Sequence, residues 1–238
     1  MAGKKALVRS MGAIETIGVI TTIATDKTGT LTKNLLSVQE TWQPSWSKHH
    51  LPTVVHKTIN HHGDSSKDPL DVALIGFTAA EEAVQLKGES VAKLPFDQAF
   101  SMSGNIWHHR GEHELVVKGA PEQIMARSSL TKAEEAEITT ALTQLTSQGY
   151  RVIALATTSV KGPFSEFSEM HPKTTLEFAG LVAVADTLRP SARAAIATAR
   201  RAGVSVRMIT GDHLETAYAI GLKLGLIDSR DQVFDSRL

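Results

Sequence analysis

The chain has 238 residues, 42% of them hydrophobic, enough for one large core or two modest ones. Lys plus Arg and Asp plus Glu each number 25, so no net basic field favours nucleic acid or anionic lipid. The absence of cysteine excludes disulfides and thiolate metal sites and fits a reducing compartment.

No run reaches the roughly 18 apolar residues that a membrane-crossing helix needs. Met1-Ala2-Gly3-Lys4-Lys5 is not followed by the apolar stretch of a signal peptide. The first predicted element is a buried strand over the apolar, β-branched run Ile17–Ile23. It leads into Asp26-Lys27-Thr28-Gly29-Thr30-Leu31-Thr32. In open α/β sheets ligands collect beyond the carboxyl ends of strands, where Asp26 falls. A carboxylate there can serve as a nucleophile for phosphoryl transfer. Lys27, a turn at Gly29 and the hydroxyls of Thr28 and Thr30 are then placed to surround the phosphate. The plain alternative is a polar strand exit with Asp and Gly as turn residues.

Alternation of Leu36, Val38 and Trp42 with polar residues predicts a half-exposed strand over Leu36–Gln43, followed by a loop to about Lys67. His49, His50, His56, His61 and His62 match no standard metal spacing and read as solvated loop residues. His108 and His109, beside a hairpin turn at Arg110-Gly111, read the same way. Asp68 as N-cap and Pro69 at the first position open a helix to about Leu86, burying Val72, Ile75, Ala79, Ala83 and Leu86. Strands are expected near Ser90–Leu94, Phe100–Trp107 and Glu112–Lys118. Gly119 would let a ligand approach the backbone, and Pro121 can open a helix. Thr131 and Glu134 form a capping box for a helix that buries Ile138, Ala141, Leu142 and Leu145 and stops at Gly149. Strands over Tyr150–Ala156 and Leu176–Ala185 flank a Pro- and Ser-containing connection. From Pro190 the pattern is α/β: a helix over Ser191–Ala202, a strand over Val204–Ile209, the loop Thr210-Gly211-Asp212, and a helix from about His213 to Gly225.

Five segments, in order along nearly the whole chain, resemble the P-type ATPases of types II and III. The unbroken Asp26–Thr32 heptapeptide is the most specific, and Val116-Val117-Lys118-Gly119-Ala120-Pro121-Glu122 is next. Asp68–Leu74, Tyr150–Ala156 and Met208–Asp212 with Thr216-Ala217 add to them. The resemblance implies a Rossmann-like, haloacid dehalogenase-type phosphorylation domain over residues 1–33 and 186–238. An inserted α+β nucleotide-binding domain with an antiparallel sheet would occupy residues 34–185.

It further implies Asp26 as the phosphorylated residue, with Lys27, Thr28 and Thr210 as catalytic neighbours. Mg2+ would be held by Asp26 and the Thr28 carbonyl. The ATP pocket would use Asp71, Phe96, Lys118, Gly119, Arg151, Arg189, Gly211 and Asp212. Asp71 stands where the family has Glu, and Ala99, Phe100 and Ser101 replace its basic residues after Phe96. Thr187 and Leu188 replace two prolines in a hinge before Arg189.

By the same resemblance the parent couples ATP hydrolysis to cation transport, its membrane helices lying outside this sequence. This part is expected on the cytoplasmic side, as a monomer without nucleic-acid partners. The family's phosphate-side lysine and final Mg2+ carboxylate do not occur before Leu238, so the chain is expected to bind nucleotide without completing the chemistry. A rival reading is a haloacid dehalogenase-like phosphatase. Those enzymes carry a second Asp two residues after the nucleophile, where this chain has Thr28.

Overall fold

The computed structural model describes residues 18–59, 68–80, 86–171, 174–211 and 214–235. The chain divides into two compact units, one of Met1–Asn34 with Leu188–Leu238, the other of Leu35–Thr187.

In the first unit β1 (Thr22–Asp26) pairs in parallel with β8 (Ser205–Ile209), Asp26 lying opposite Ile209. Helices α5 (Pro190–Arg201) and α6 (Leu214–Leu224) follow the parallel-sheet pattern expected from the sequence. Leu31, Ala192, Ile196, Leu224 and Leu226 form the core, with Val206 and Met208 packed against it. The expectation of a buried first strand is corrected. β1 starts later, at Thr22, and is largely exposed, with Ile23 at 41%. Among the described residues its sheet has two strands, so only Val206, Met208 and their neighbours gain cover.

The second unit is built on a six-stranded sheet in the order β2-β7-β6-β5-β4-β3. Its strands are β2 (Thr32–Trp42), β3 (Glu89–Asp97), β4 (Met102–His109), β5 (Glu112–Gly119), β6 (Arg151–Val160) and β7 (Glu177–Leu188). Pairing from β3 through β7 is antiparallel throughout. Both faces are covered, and the alternation along β5 shows how. Leu115 and Val117 join a core with Ile124, Ile138, Ala141 and Leu145 of α3 (Pro121–Ala126) and α4 (Lys132–Ser147). Val116 joins the opposite core, with Leu51, Val54 and Val55 of α1 (Leu51–Thr58) and Leu74 of α2 (Pro69–Ala79). Where the chain enters and leaves this unit, the Leu35 N–H donates to the Asp186 carboxylate at 3.0 Å and Ser37 bonds Thr187 at 2.8 Å.

α1 corrects the long loop expected before Lys67. Leu51, Val54 and Val55 recur at helical spacing and are all buried, with Pro52 in the first turn. His56 therefore lies on a helix and His49 is half-buried, its Nε2 3.3 Å from the Glu177 carboxylate, so these two are not solvated loop residues. His61 and His62 lie outside the described residues.

α2 begins as expected, the Asp68 side chain accepting from the Leu70 N–H at 2.8 Å. It ends at Ala79, short of Leu86, with residues 81–85 outside the described set. Its buried face is also different. Asp71, Ala73, Leu74 and Thr78 are buried, whereas Val72 and Ile75 are 44% and 37% exposed. A helix apolar on every side does not choose a face by hydrophobicity; here an ion pair from Asp71 does. No helix among the described residues is long and apolar enough to cross a membrane.

Candidate functional site

The residues singled out by the sequence fall into two groups, one in each unit. In the first unit, Asp26 ends β1 and Thr210 directly follows β8, so they leave neighbouring parallel strands at the same sheet edge. Strands are about 4.8 Å apart, which brings both residues within reach of one small anion. Asp26 is exposed and Thr210 half-buried.

The five residues after Asp26 make a single tight turn. Gly29 has φ 74°, in the left-handed region that glycine enters without strain. The Thr32 hydroxyl accepts from the Gly29 N–H at 3.1 Å and donates to the Lys27 carbonyl at 3.2 Å. Arg189 Nη2 donates to the Gly29 carbonyl at 2.9 Å, and its backbone N–H to the Leu31 carbonyl at 2.9 Å. Arg189 thus holds the loop's shape, a role that sequence reasoning missed; so does Thr32, which is wholly buried. Lys27 is also buried, at 8% exposure, while Thr28 and Thr30 remain exposed. Gly211 is exposed beside Thr210, and Asp212 lies outside the described residues.

Asp26 and the Thr28 carbonyl offer two hard oxygen donors, the chemistry that suits Mg2+ with phosphate oxygens and water completing its shell. The carbonyls on either side of Thr28 are taken, by Thr32 and Arg189. Among the described residues no group of three or more His, Cys, Asp or Glu could hold a metal ion.

In the second unit, Lys118 near the end of β5 and Asp71 of α2 form a buried ion pair, each side chain 5% exposed. Lys118 Nζ also donates to the Thr58 carbonyl at 3.0 Å. It is one of three side chains that hold the last turn of α1. Asn105 Nδ2 donates to the carbonyls of Lys57 (2.8 Å) and Ile59 (3.1 Å), and Trp107 Nε1 to that of Lys57 (2.8 Å). A cation at a helix C-terminus complements both the orphan carbonyls and the dipole. Asp71 is therefore no ordinary surface acid of its helix.

Gly119 answers a packing demand. A Cβ there would stand 2.5 Å from the Ser101 carbonyl oxygen and 2.7 Å from Met102 Cβ, so the glycine admits the β3–β4 turn, where ligand approach was expected. Phe96, near the end of edge strand β3, is 68% exposed and belongs to no core. Arg151 is exposed at the start of β6, an interior strand between β5 and β7. Phe100, where the resemblance puts a basic residue, stacks on Phe167 with ring centroids 5.6 Å apart. The Arg127 guanidinium sits 5.2 Å from its ring centre. Arg127 is tied to the Gln123 side chain at 2.7 Å, and nothing in the local sequence marks it.

The profile described as P-type ATPase, cytoplasmic domain N, matches residues 52–191. A calcium-transporting ATPase of Listeria monocytogenes is 28% identical over 263 residues, covering 97% of this chain and 30% of the relative. A probable cation-transporting ATPase F of Mycobacterium bovis is 29% identical over 288 residues (100% and 32%). A calcium-transporting ATPase of Bacillus subtilis is 29% identical over 290 residues (100% and 32%). The chain spans about a third of the length of these relatives. With more than half of its residues matched to one family's profile and the family's motifs at these positions, the chain belongs to the P-type ATPases.

Proposed function

We propose that this chain is the ATP-binding and phosphoryl-accepting part of a cation-transporting P-type ATPase. The observation that carries the reading is the placement of Asp26 and Thr210 at the ends of adjacent parallel strands, above a loop braced by Thr32 and Arg189. An Asp26 carboxylate oxygen attacks the γ-phosphorus of ATP. The bond from that phosphorus to the β,γ-bridging oxygen breaks, ADP leaves, and an acyl phosphate remains. Thr210 and the exposed hydroxyls of Thr28 and Thr30 donate to the transferred phosphoryl oxygens. Asp26 and the Thr28 carbonyl would hold Mg2+, which would supply charge neutralisation at those oxygens.

Adenine binding is assigned to the second unit. An exposed aromatic face at Phe96 suits ring stacking, and Arg151 offers a cation to phosphate. The same reading assigns Asp71, Lys118 and Gly119 to the nucleotide pocket. In the parent, this part would act on the cytoplasmic side, coupled to a cation path through the membrane.

The test is ATP titration of the chain and of Phe96→Ala, followed by calorimetry. Phe96 is exposed, so its truncation should leave unfolding unchanged while ATP affinity falls about tenfold, the worth of ~1.4 kcal/mol. Equal affinities for the two proteins would reject the adenine assignment.

A further inference from the structure

The β4–β5 hairpin sets two histidines side by side. Its turn is Arg110 (φ 51°) and Gly111 (φ 89°), both left-handed, as the tightest hairpin connection requires. That turn fixes the register, so His109 falls opposite Glu112 and His108 opposite His113. By the alternation along each strand, His108 shares a face with Ile106 and His113 with Leu115, both members of the core under α3 and α4. Expected as a solvated loop residue, His108 is instead half-buried on a strand, as is His113. Their ring centres are 4.9 Å apart and the planes are inclined by 42°.

Among the described residues each of these rings has the other as its one partner, and neither makes a hydrogen bond or ion pair. His49 differs, lying against the Glu177 carboxylate and the Thr157 hydroxyl. No ring nitrogen is buried without a partner, so those of His108 and His113 open to solvent. Imidazole nitrogen is the commonest metal ligand in proteins. A metal would stand about 3.2 Å from each ring centre, a bond of roughly 2.0 Å plus the ring's own radius. Ring centres 4.9 Å apart then subtend about 100° at the metal, between the square-planar and tetrahedral angles. Turning either ring about its Cβ–Cγ bond, a soft torsion that no hydrogen bond opposes, aims a nitrogen at that point.

We propose that His108 and His113 form a two-histidine site for a late first-row transition-metal dication, clamping β4 to β5 beside their turn. Cu2+ should bind most tightly, and Mg2+, which takes oxygen ligands, should not bind there. Among the described residues no third His, Cys, Asp or Glu completes a group with them, so water fills the remaining positions and the ion stays exchangeable. His113 precedes Lys118 on β5 by roughly 17 Å of strand, so the site does not depend on the nucleotide reading.

The probe is Cu2+, whose paramagnetism broadens the NMR signals of nearby groups. Added in substoichiometric amount to the chain, it should first broaden the backbone amide signals of residues 106–115, and Mg2+ should leave them unchanged. His108→Gln and His113→Gln should each weaken this binding about a hundredfold, the lower end of what joining two ligands yields. His56→Gln and His109→Gln should not change it. A second measurement needs no variant: on titration with diamagnetic Zn2+, the ring signals of His108 and His113 should shift together along one saturation curve. Broadening that begins at His49-His50 or His61-His62, binding that survives the loss of either ring, or ring signals that saturate separately would each overturn the proposal.

Discussion

Asp71→Asn should destabilise the second unit far more than a typical helix substitution. The Asp71 and Lys118 side chains are each 5% exposed, so the change leaves a buried ammonium with the Thr58 carbonyl and a neutral amide. Removing one partner of a buried pair costs about 3–5 kcal/mol. In a unit of this size each kcal/mol lowers the melting temperature by roughly 2–4 °C, so a fall of about 6–20 °C is expected. Trp42, Trp46 and Trp107 all lie within Leu35–Thr187, and with three tryptophans in the chain, intrinsic fluorescence reports this unit alone. Urea unfolding followed by tryptophan emission therefore isolates the effect. Lys118→Met should cost a similar amount, and the double variant Asp71→Leu with Lys118→Met should recover most of either loss, because no unpaired charge remains. A loss under about 1 kcal/mol for Asp71→Asn, or single losses that simply add in the double variant, would refute the buried pair as an energetic unit.

Gly119→Ala should destabilise the same unit by about 1–3 kcal/mol, because the new Cβ meets the Ser101 backbone at 2.5 Å; fluorescence-detected urea unfolding checks it. Thr131 donates from its backbone N–H and its hydroxyl to Glu134, at 2.7 and 2.8 Å, holding the Glu134 carboxyl below its ordinary range. A depressed folded value contributes stability above the unfolded pKa that is lost as pH falls through the folded one, so α4 should fray from its start in acid. Hydrogen exchange at residues 132–135 should show that fraying in the wild type and little pH dependence in Glu134→Gln. In the full-length parent, radiolabelled γ-ATP with Mg2+ and an acid quench should leave a hydroxylamine-sensitive phosphate that Asp26→Asn lacks; label retained in that variant would remove Asp26 as the nucleophile.

What the sequence made legible is what acts locally. Asp68-Pro69 and the Thr131–Glu134 box start helices through bonds within a few residues, and both form as expected. The strand at Glu112–Gly119 and the α/β pattern after Pro190 carry their periodicity on their face. α1 had a signal too, in Leu51, Val54 and Val55, but its eight residues sit among His and Pro that dominate the local composition. Asp71 could not be placed, because its partner lies 47 residues away on another element. The same holds for Arg189 on the Gly29 carbonyl, 160 residues apart, and for the packing at Gly119. Motif residues could be named from sequence, whereas what each one touches was set by tertiary pairing.

Lys118 shows why that distinction bears on function. Counted from the sequence, it is one positive charge in a pocket for a polyanion. In the structure its ammonium faces the Asp71 carboxylate and the Thr58 carbonyl, and the two charges together sum to zero. Such a pair presents phosphate with a weak field, since the cation and anion are seen at nearly equal distance. The position the resemblance gives to a second cation holds Phe100, packed on Phe167 under Arg127, which is itself tied to Gln123. On the proposed reading, electrostatic attraction for phosphate therefore rests on exposed Arg151 far more than a count of basic motif residues suggests. Recognition on the proposed reading shifts toward the base, where the exposed ring of Phe96 supplies area that needs no charge.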